Sequence, residues 1–256
     1  MKVVLLIAGK GRRLGSITEK KNKALINLGG KPLLGHLIER FIFSNLKDII
    51  VVVGHNSRGV VEYINNNYGN KLRLTIINNA KYKQTNNLYS LWLTRDLLLN
   101  NSFIVCNGDM ILNKYIINNL VTTGDHSTIV IDDNPRDKPI DSPGTIIKDG
   151  CISDLGRHIP TSKNGGYAIG LYKFNSNISK AFFKEADKMI NAKKYDAGFH
   201  DPLLSLFSFY KVFSLSTNGL SWTDLDTKED IQYAENLLKQ ILIEEMQYSA
   251  KYNNMD

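Results

Sequence analysis

The chain has little cysteine and no long apolar run. Its 256 residues contain two cysteines, Cys106 and Cys151, which are too few for a disulfide framework and indicate a reducing compartment. No stretch approaches the length of about 20 apolar residues that spans a membrane. The apolar run near the N-terminus is too short for the core of a signal peptide. We therefore expect a cytoplasmic protein with no membrane partner.

Several familiar signatures are also missing. The sequence has no G-x-x-x-x-G-K-[ST] string, and a dinucleotide fingerprint beginning at Gly9 fails because Leu14 stands where its last glycine belongs. The five histidines show no spacing typical of zinc sites. The net charge of +7 indicates an anionic partner. Because lysine and arginine are scattered and form no dense basic block, a phosphorylated small molecule is favoured over nucleic acid.

Length and composition fit a compact α/β protein. With 256 residues and 43% hydrophobic content, the chain can bury a large core. Amphipathic helices are predicted after Pro32, around 88–98 and around 231–242. The β-α-β-α order at the start predicts a parallel sheet with right-handed crossovers. Strands are predicted at about residues 2–8, 48–53, 73–77, 102–106, 127–132, 143–148, 166–173 and 211–215.

The first turn of the chain is its most informative segment. The apolar run that ends at Ala8 is followed closely by Gly9, Gly11, Arg12 and Arg13. Glycine lets the backbone approach an anion and turn its N–H groups towards it, and the guanidinium groups supply countercharge. The turn therefore predicts a phosphate-binding loop. The alternative is an ordinary strand-to-helix turn with solvated basic residues.

This segment resembles the signature of the sugar-phosphate and phosphocholine nucleotidyltransferases. That signature runs from a strand into G-x-G-x-R-L, then to a lysine about ten residues on, matched here by Lys23. A G-K-P-L turn follows, matched here by residues 30–33. The chain departs from the signature at Asn22, where the family usually has proline. The lysine is the chemically required member, so we expect the change to be tolerated.

The resemblance implies a fold and a set of roles. The fold is a Rossmann-like GT-A sandwich of three α/β layers around a mostly parallel, mixed sheet. A single domain over 1–245 would have a nucleotide-binding part (1–124) and an acceptor-binding part (125–245), followed by a polar tail (246–256). Arg13 would stabilise the leaving phosphates, and Lys23 would bridge the α-phosphate and the acceptor. The implied nucleotide contacts are Ala8, Gly9, Gly11 and Arg12 in the loop, and Gly108 further on.

Two carboxylate segments predict a metal site. Asp109 follows the predicted strand 102–106 and should lie at the ligand-binding edge of the sheet. Asp224 and Asp226 are two residues apart, so in extended backbone they point to the same side. Mg²⁺ prefers such oxygens and often uses one or two carboxylates plus phosphate oxygens. We expect Asp109 with Asp226 or Asp224 to hold Mg²⁺.

Both carboxylate segments also have plain structural alternatives. Asp109 could cap a helix that begins near Asn113, and Asp226 with Glu229 could form a helix capping box. However, the string W-x-D-x-D-T-x-E-D over 222–230 resembles the C-terminal signature of cytidylyltransferases for inositol phosphate and related acceptors. The resemblance therefore spans both ends of the chain.

The string N-N-L-Y-S over 86–90 favours a cytidine nucleotide as the substrate. It resembles the N-N-I-Y-S string of the phosphocholine cytidylyltransferases, at the point where that family contacts the base. Asn86, Asn87 and Ser90 carry amides and a hydroxyl that can pair with the edge of a pyrimidine. The alternative is a plain helix start with an asparagine cap.

The acceptor side is predicted from two segments. Gly166 and Tyr167 resemble the family's strand beside the acceptor phosphate, and Asp201 resembles an acidic residue lining the acceptor pocket. Asp201 could equally cap a helix before Pro202. A homo-oligomer is compatible with the sequence.

The implied reaction is a Mg²⁺-dependent cytidylyl transfer from CTP to a phosphorylated or phosphonate acceptor, with pyrophosphate as second product. Candidate acceptors are an inositol phosphate, phosphocholine or a phosphonate. Three alternatives stay open. They are a sugar-1-phosphate uridylyl- or thymidylyltransferase, a GT-A glycosyltransferase, and a non-catalytic nucleotide- or nucleic-acid-binding protein.

Overall fold

A computed structural model describes residues 1–135, 142–163 and 165–253. Strands and helices alternate through most of the chain. The strands are β1 (Lys2–Ile7), β2 (Asn27–Leu28), β3 (Lys31–Pro32), β4 (Asp48–Val53), β5 (Arg73–Asn78), β6 (Phe103–Asn107), β7 (Met110–Leu112), β8 (Thr128–Asp132), β9 (Gly144–Lys148), β10 (Cys151–Gly156), β11 (Tyr167–Phe174), β12 (Phe213–Ser216) and β13 (Trp222–Asp224). The α-helices are α1 (Leu33–Phe43), α2 (Ser57–Tyr68), α3 (Asn87–Trp92), α4 (Arg95–Leu98), α5 (Lys114–Val121), α6 (Ser176–Asn191), α7 (Asp201–Leu204) and α8 (Glu229–Asn253).

One mixed sheet of nine strands forms the centre of the fold. Its order is β5-β4-β1-β6-β11-β8-β12-β10-β9. The first four strands are parallel, as the β-α-β-α order predicts. Strand β11 runs antiparallel to both β6 and β8, and β12 returns parallel to β8. The carboxyl ends of β1 and β6 are therefore neighbours at one edge, where ligands bind in open α/β sheets.

Helices cover both faces of the sheet and make three layers. Side chains alternate along β1, so that Val3 and Leu5 pack with helices α1, α2 and α5. Val4 faces the other way and packs in a second core with α3 and α6. The resulting α/β sandwich around a mixed sheet is the fold class expected from the sequence.

The C-terminal helix closes a third, smaller core. Helix α8 packs Ala234, Leu238 and Ile241 against Leu14 and Leu225. This contact joins the segment after the first turn to the segment that carries the C-terminal aspartates. No helix in the described ranges is long and apolar enough to cross a membrane.

The structure differs from the predicted elements at one helix and at several strands. The single helix predicted around 88–98 is two short helices, α3 and α4. The residues expected to form a polar tail from 246 continue helix α8 to Asn253, and 254–256 lie outside the described residues. Five strands, β2, β3, β7, β10 and β13, were not predicted; four of them have only two or three residues and no clear alternation.

Candidate active site

The first turn forms a recess at the carboxyl end of β1. Gly11 has a left-handed backbone (φ 63°, ψ 48°), which favours glycine. The Thr18 hydroxyl donates to the Gly11 carbonyl at 2.9 Å and fixes the turn. Ala8 is buried and Arg12 is exposed. A small recess of about 80 Å³ lies against this turn, lined by Leu6, Ile7, Gly9, Gly11, Asn22, Lys23, Ala24, Gly108 and Asp109.

Gly108 brings the end of β6 against that recess. A Cβ atom at this position would collide with the side chain of Ile7. Its N–H donates to the Leu6 carbonyl at 3.1 Å. Only glycine permits this close approach of the two strands, and the next residue, Asp109, is therefore held beside the end of β1.

Four charged side chains form one network at this edge. The Lys23 Nζ lies 2.8 Å from Asp109 Oδ2 and 2.7 Å from Asp226 Oδ1, and its side chain is only 12% exposed. An Arg13 Nη2 lies 2.6 Å from the other oxygen of Asp226. Burial favours a lower pKa for Lys23, but the charges of Asp109 and Asp226 outweigh it and raise the pKa above the usual value. The lysine therefore stays charged at neutral pH.

A short antiparallel strand pair brings Asp109 and Asp226 together. Strand β13 runs antiparallel to β7 with Asp224 opposite Met110, and the Leu225 N–H donates to the Asp109 carbonyl at 2.9 Å. Asp226 follows directly, so it lies beside Asp109 although the two are far apart in sequence.

The structure argues against the capping alternatives for these aspartates. The N-cap of α5 is Asn113, whose side chain accepts from Tyr115 N, and not Asp109. At the start of α8, Asp230 accepts from the backbone N–H groups of Asp226 and Thr227. The Asp226 carboxylate is therefore available to Lys23 and Arg13.

A larger cleft of about 520 Å³ opens beside the network. Asp109 lines both this cleft and the small recess, so the two spaces meet there. Asp224 and Asp226 also line the cleft. Other lining residues come from β6, β10, β11 and the segment before α7, and they include Asn107, Gly156, Arg157, Ala168, Ile169, Gly170, Tyr172, Phe199, His200 and Asp201.

The residues of the N-N-L-Y-S string are placed differently from one another. Asn86 and Asn87 line the cleft. Ser90 is buried, and its hydroxyl accepts from Asn79 Nδ2 at 3.0 Å. Asn86 is also the N-cap of α3, as the alternative of a plain helix start with an asparagine cap predicts. The expectation that Ser90 reaches a ligand is not met by this arrangement, because its hydroxyl faces the protein interior.

The predicted acceptor residues are only partly brought together. Asp201 lines the cleft, while its Oδ2 accepts from Gly198 N at 2.8 Å and its Oδ1 lies 3.2 Å from His200 Nε2. Gly166 and Tyr167 do not line it, because they lie at the start of β11 opposite Asp132 and Gly144. The next residues of that strand, 168–170, line the cleft in their place.

Sequence reasoning missed several cleft residues, among them Asn107, Arg157 and His200. Asn107 directly precedes Gly108 at a strand end, which is a signal that could have found it. Arg157 follows β10, a strand that was not predicted. His200, next to Asp201, also lines the cleft. Burial of the ring and the positive charge of Arg157 lower the pKa of His200, and the negative charge of Asp201 raises it. The net effect is a pKa below the usual value, so the ring is neutral at pH 7.

Comparison with known proteins decides the family. A model of the MobA-like NTP transferase domain matches residues 3–170. The chain belongs to this family. It is therefore a nucleotidyltransferase, an enzyme that transfers nucleotidyl groups. The match contains the whole first turn, Lys23 and Asp109, while Asp224 and Asp226 lie beyond it.

Individual nucleotidyltransferases match over nearly the whole chain. A choline-phosphate cytidylyltransferase from Streptococcus pneumoniae is 34% identical over 93% of this chain and 99% of its own length. A solved structure of the CTP:phosphocholine cytidylyltransferase from that organism has a TM-score of 0.78 at 26% identity, covering 93% of this chain and 98% of its own. A CMP-5'-(3-aminopropyl)phosphonate synthase from Streptomyces rubellomurinus is 27% identical over 92% of this chain and 38% of its own length. The inositol-1-phosphate CTP transferase structure from T. maritima shares the fold, with a TM-score of 0.78 at 17% identity over 94% of this chain and 95% of its own.

Proposed function

We propose that this nucleotidyltransferase is a Mg²⁺-dependent cytidylyltransferase that joins CTP to a phosphorylated or phosphonate small molecule. The observation that carries the proposal is the position of Lys23, held between Asp109 and Asp226 where the small recess meets the large cleft. The choice of CTP is supported by the 34% identity to the pneumococcal choline-phosphate enzyme and by the phosphonate enzyme from Streptomyces.

The chemistry needs little from the protein beyond position and charge. An oxygen of the acceptor phosphate or phosphonate attacks the α-phosphorus of CTP, the bond to the bridging oxygen breaks, and pyrophosphate leaves. The nucleophile is already an anion at pH 7, so no general base has to remove a proton. Catalysis then depends on alignment of the reactants and on neutralisation of the developing charge.

We assign the triphosphate to the small recess and the acceptor to the large cleft, and the roles of the residues follow from this assignment. The triphosphate is bound at the recess by the backbone of Ala8, Gly9 and Gly11, with Arg12 and Gly108 at its edges. Arg13 stabilises the leaving β- and γ-phosphates. Lys23 contacts the α-phosphate and the acceptor oxygen, since it lies at the junction. The acceptor occupies the large cleft on the side of Asp201.

The carboxylates at the junction suit magnesium in kind and number. Asp109 and Asp226 offer hard oxygen atoms close together, and Mg²⁺ commonly uses one or two carboxylates and completes its shell with phosphate oxygens and water. Across the described ranges, no group of three or more His, Cys, Asp or Glu side chains could hold a metal ion, so the nucleotide has to supply further ligands. Bound there, Mg²⁺ would act as a Lewis acid on the phosphate oxygens. Asp224, in the same cleft, is the weaker candidate.

The proposal is tested by pyrophosphate release in a matrix of substrates. CTP, UTP, dTTP, ATP and GTP are each combined with phosphocholine, inositol 1-phosphate, an aminoalkylphosphonate and glucose 1-phosphate, with Mg²⁺ present. We expect CTP to exceed every other triphosphate by at least about tenfold in kcat/KM with one of the first three acceptors. Lys23→Ala should lower the signal about a hundredfold or more, and the exposed neighbour variant Lys21→Ala should keep it, which excludes a contaminating activity.

Two outcomes would overturn the proposal. Preference for UTP or dTTP with glucose 1-phosphate would identify a sugar-nucleotide enzyme. Release of no pyrophosphate from any pair would contradict the cytidylyltransferase proposal.

A further inference from the structure

The asparagines of the N-N-L-Y-S string hold the acceptor side of the cleft. The backbone N–H of Asn86 donates to the Tyr195 carbonyl at 2.7 Å, and its side-chain Nδ2 donates to the Asp196 carbonyl at 2.9 Å. The side chain of Asn87 then accepts from the backbone N–H of Phe199 at 2.8 Å. Three hydrogen bonds thus join the start of α3 to the segment 195–199, over 100 residues away.

The chemistry of the partners fixes the orientation of both amides. A backbone N–H can only donate, so the Asn87 atom that faces Phe199 must be its oxygen. A backbone carbonyl can only accept, so the Asn86 atom that faces Asp196 must be its nitrogen. The Asn86 oxygen accepts from Asn87 N at 2.8 Å. Both ends of the Asn86 amide and the oxygen of Asn87 therefore already have partners inside the protein.

The segment held in this way carries cleft residues. Phe199 is only 2% exposed, and its ring packs edge-on against Tyr172 at a centroid distance of 4.7 Å. The next two residues, His200 and Asp201, line the cleft. The turn is closed by Gly198 N, which donates to Asp201 Oδ2. Displacing the Phe199 backbone would therefore move the side chains that face the acceptor.

We infer that Asn87 is a positioning residue for the acceptor. Its amide oxygen anchors Phe199 and thereby the turn 198–201, so it sets the affinity for the acceptor and not the choice of base. This inference rests on the proposed function only in assigning the acceptor to the large cleft. The hydrogen bonds that carry it are independent of any substrate.

Two variants separate positioning from base contact. Asn87→Asp keeps an oxygen for the Phe199 N–H but removes the NH₂ group, while Asn87→Ala removes both. Under our inference Asn87→Ala raises the acceptor KM about tenfold, and Asn87→Asp restores much of that loss. The ratio of kcat/KM for CTP to that for UTP stays within about twofold in both, because an added charge affects the two triphosphates alike. The exposed loop variant Gln84→Ala is the matched control.

A second measurement does not depend on activity. Hydrogen–deuterium exchange of the substrate-free protein, followed in a peptide that contains Phe199, should be faster in Asn87→Ala than in wild type and near wild type in Asn87→Asp. Unchanged exchange in Asn87→Ala would overturn the inference, as would an unchanged acceptor KM or a CTP-to-UTP ratio that collapses in Asn87→Asp. If the wild type releases no pyrophosphate with any pair, the proposed function fails, and the exchange result still decides whether Asn87 holds the turn.

Discussion

The ammonium group of Lys23 lies 2.8 Å from the carboxylate of Asp109, a residue 86 positions further along the chain. The same nitrogen lies 2.7 Å from Asp226, which is 203 positions away. One buried cation therefore links the segment after the first turn, the end of β6 and the segment after β13. The charge is retained because two carboxylates outweigh the effect of burial on its pKa.

Lys23→Ala should lower kcat about a hundredfold or more, because one buried charge that stabilises a developing anion is worth that much. It also leaves Asp109 and Asp226 without the cation that both carboxylates contact. Steady-state kinetics of the variant measures the effect, and Lys21→Ala is the control. Near-normal turnover in Lys23→Ala would remove this residue from the mechanism.

The carboxylates should differ in their effect on metal dependence. Asp109→Asn and Asp226→Asn keep the shape of the side chain but remove a hard anionic ligand, so turnover should collapse, and extra Mg²⁺ should rescue it poorly. Asp224→Asn should be milder, since Asp226 bears the ion pairs to both Lys23 and Arg13. Turnover is measured across a Mg²⁺ titration, and Mg²⁺ binding is followed separately by calorimetry with a non-hydrolysable CTP analogue. Full activity in chelator would contradict a metal at this site.

The sequence predicts the central part of the fold and much of the junction. The parallel strands β1, β4, β5 and β6 have strong local patterns, and the structure has them within one residue of the predicted bounds. The first turn and Asp109 were predicted because glycine and fixed charge at a strand end have a direct chemical meaning, and Lys23 was predicted from the resemblance to the nucleotidyltransferase signature. What local patterns cannot give is the pairing of Met110–Leu112 with Trp222–Asp224, since each strand is short and its partner is distant.

The acceptor side was predicted less well for a similar reason. Tyr167 was chosen from a resemblance, but the cleft is lined further along β11, at 168–170. Which residues of a strand reach a ligand depends on how its neighbours end, and β9 meets β11 through the pair Gly144 and Tyr167, which are 23 residues apart in the sequence. Ser90 was chosen for its hydroxyl, which tertiary packing turns towards Asn79.

Glu244 should stabilise the protein in a pH-dependent way. Burial raises its pKa, but hydrogen bonds from the side chain and backbone of Ser221, from Asn113 and from Gln240 outweigh this and lower the pKa below 4.5. A lowered carboxyl pKa means that its stabilisation is complete above the unfolded value of 4.5 and is lost as pH falls through the folded value. These bonds tie α8 to the residue that precedes β13.

Glu244→Ala should therefore reduce the free energy of unfolding by about 1 kcal/mol at pH 7. The difference from wild type should shrink as the pH falls below 4.5 and through the lower pKa of the folded carboxyl. Urea unfolding at a series of pH values measures it, with the exposed Gln247→Ala of the same helix as control. A difference that is constant over this range would mean that the charge of Glu244 has no part in the stabilisation.

Asn22 should prove irreplaceable by the proline of the family signature. Its backbone (φ −67°, ψ 142°) is one that proline adopts without strain. The side chain, however, is 1% exposed and makes three hydrogen bonds. Its Nδ2 donates to the carbonyls of Ile7 and His55 at 3.1 and 2.7 Å, and its Oδ1 accepts from Ala24 N at 2.9 Å. In this chain the side chain holds the segment that carries Lys23, where the family signature uses a rigid ring.

Asn22→Pro would leave those three backbone groups without this partner, at a cost of about 1–3 kcal/mol in unfolding free energy. The matched variant Asn22→Asp keeps the bond from Ala24 N but places a buried carboxylate oxygen against the carbonyls of Ile7 and His55, so its cost should equal or exceed that of the proline variant. If the side chain also aligns Lys23, the variant that is less stable should have the lower kcat, while the KM for CTP changes less. The reason is that a misplaced cation weakens binding of the transition state more than binding of the substrate. Urea unfolding and steady-state kinetics of both variants measure this. A proline variant as stable and as active as wild type would show that backbone geometry alone positions the lysine.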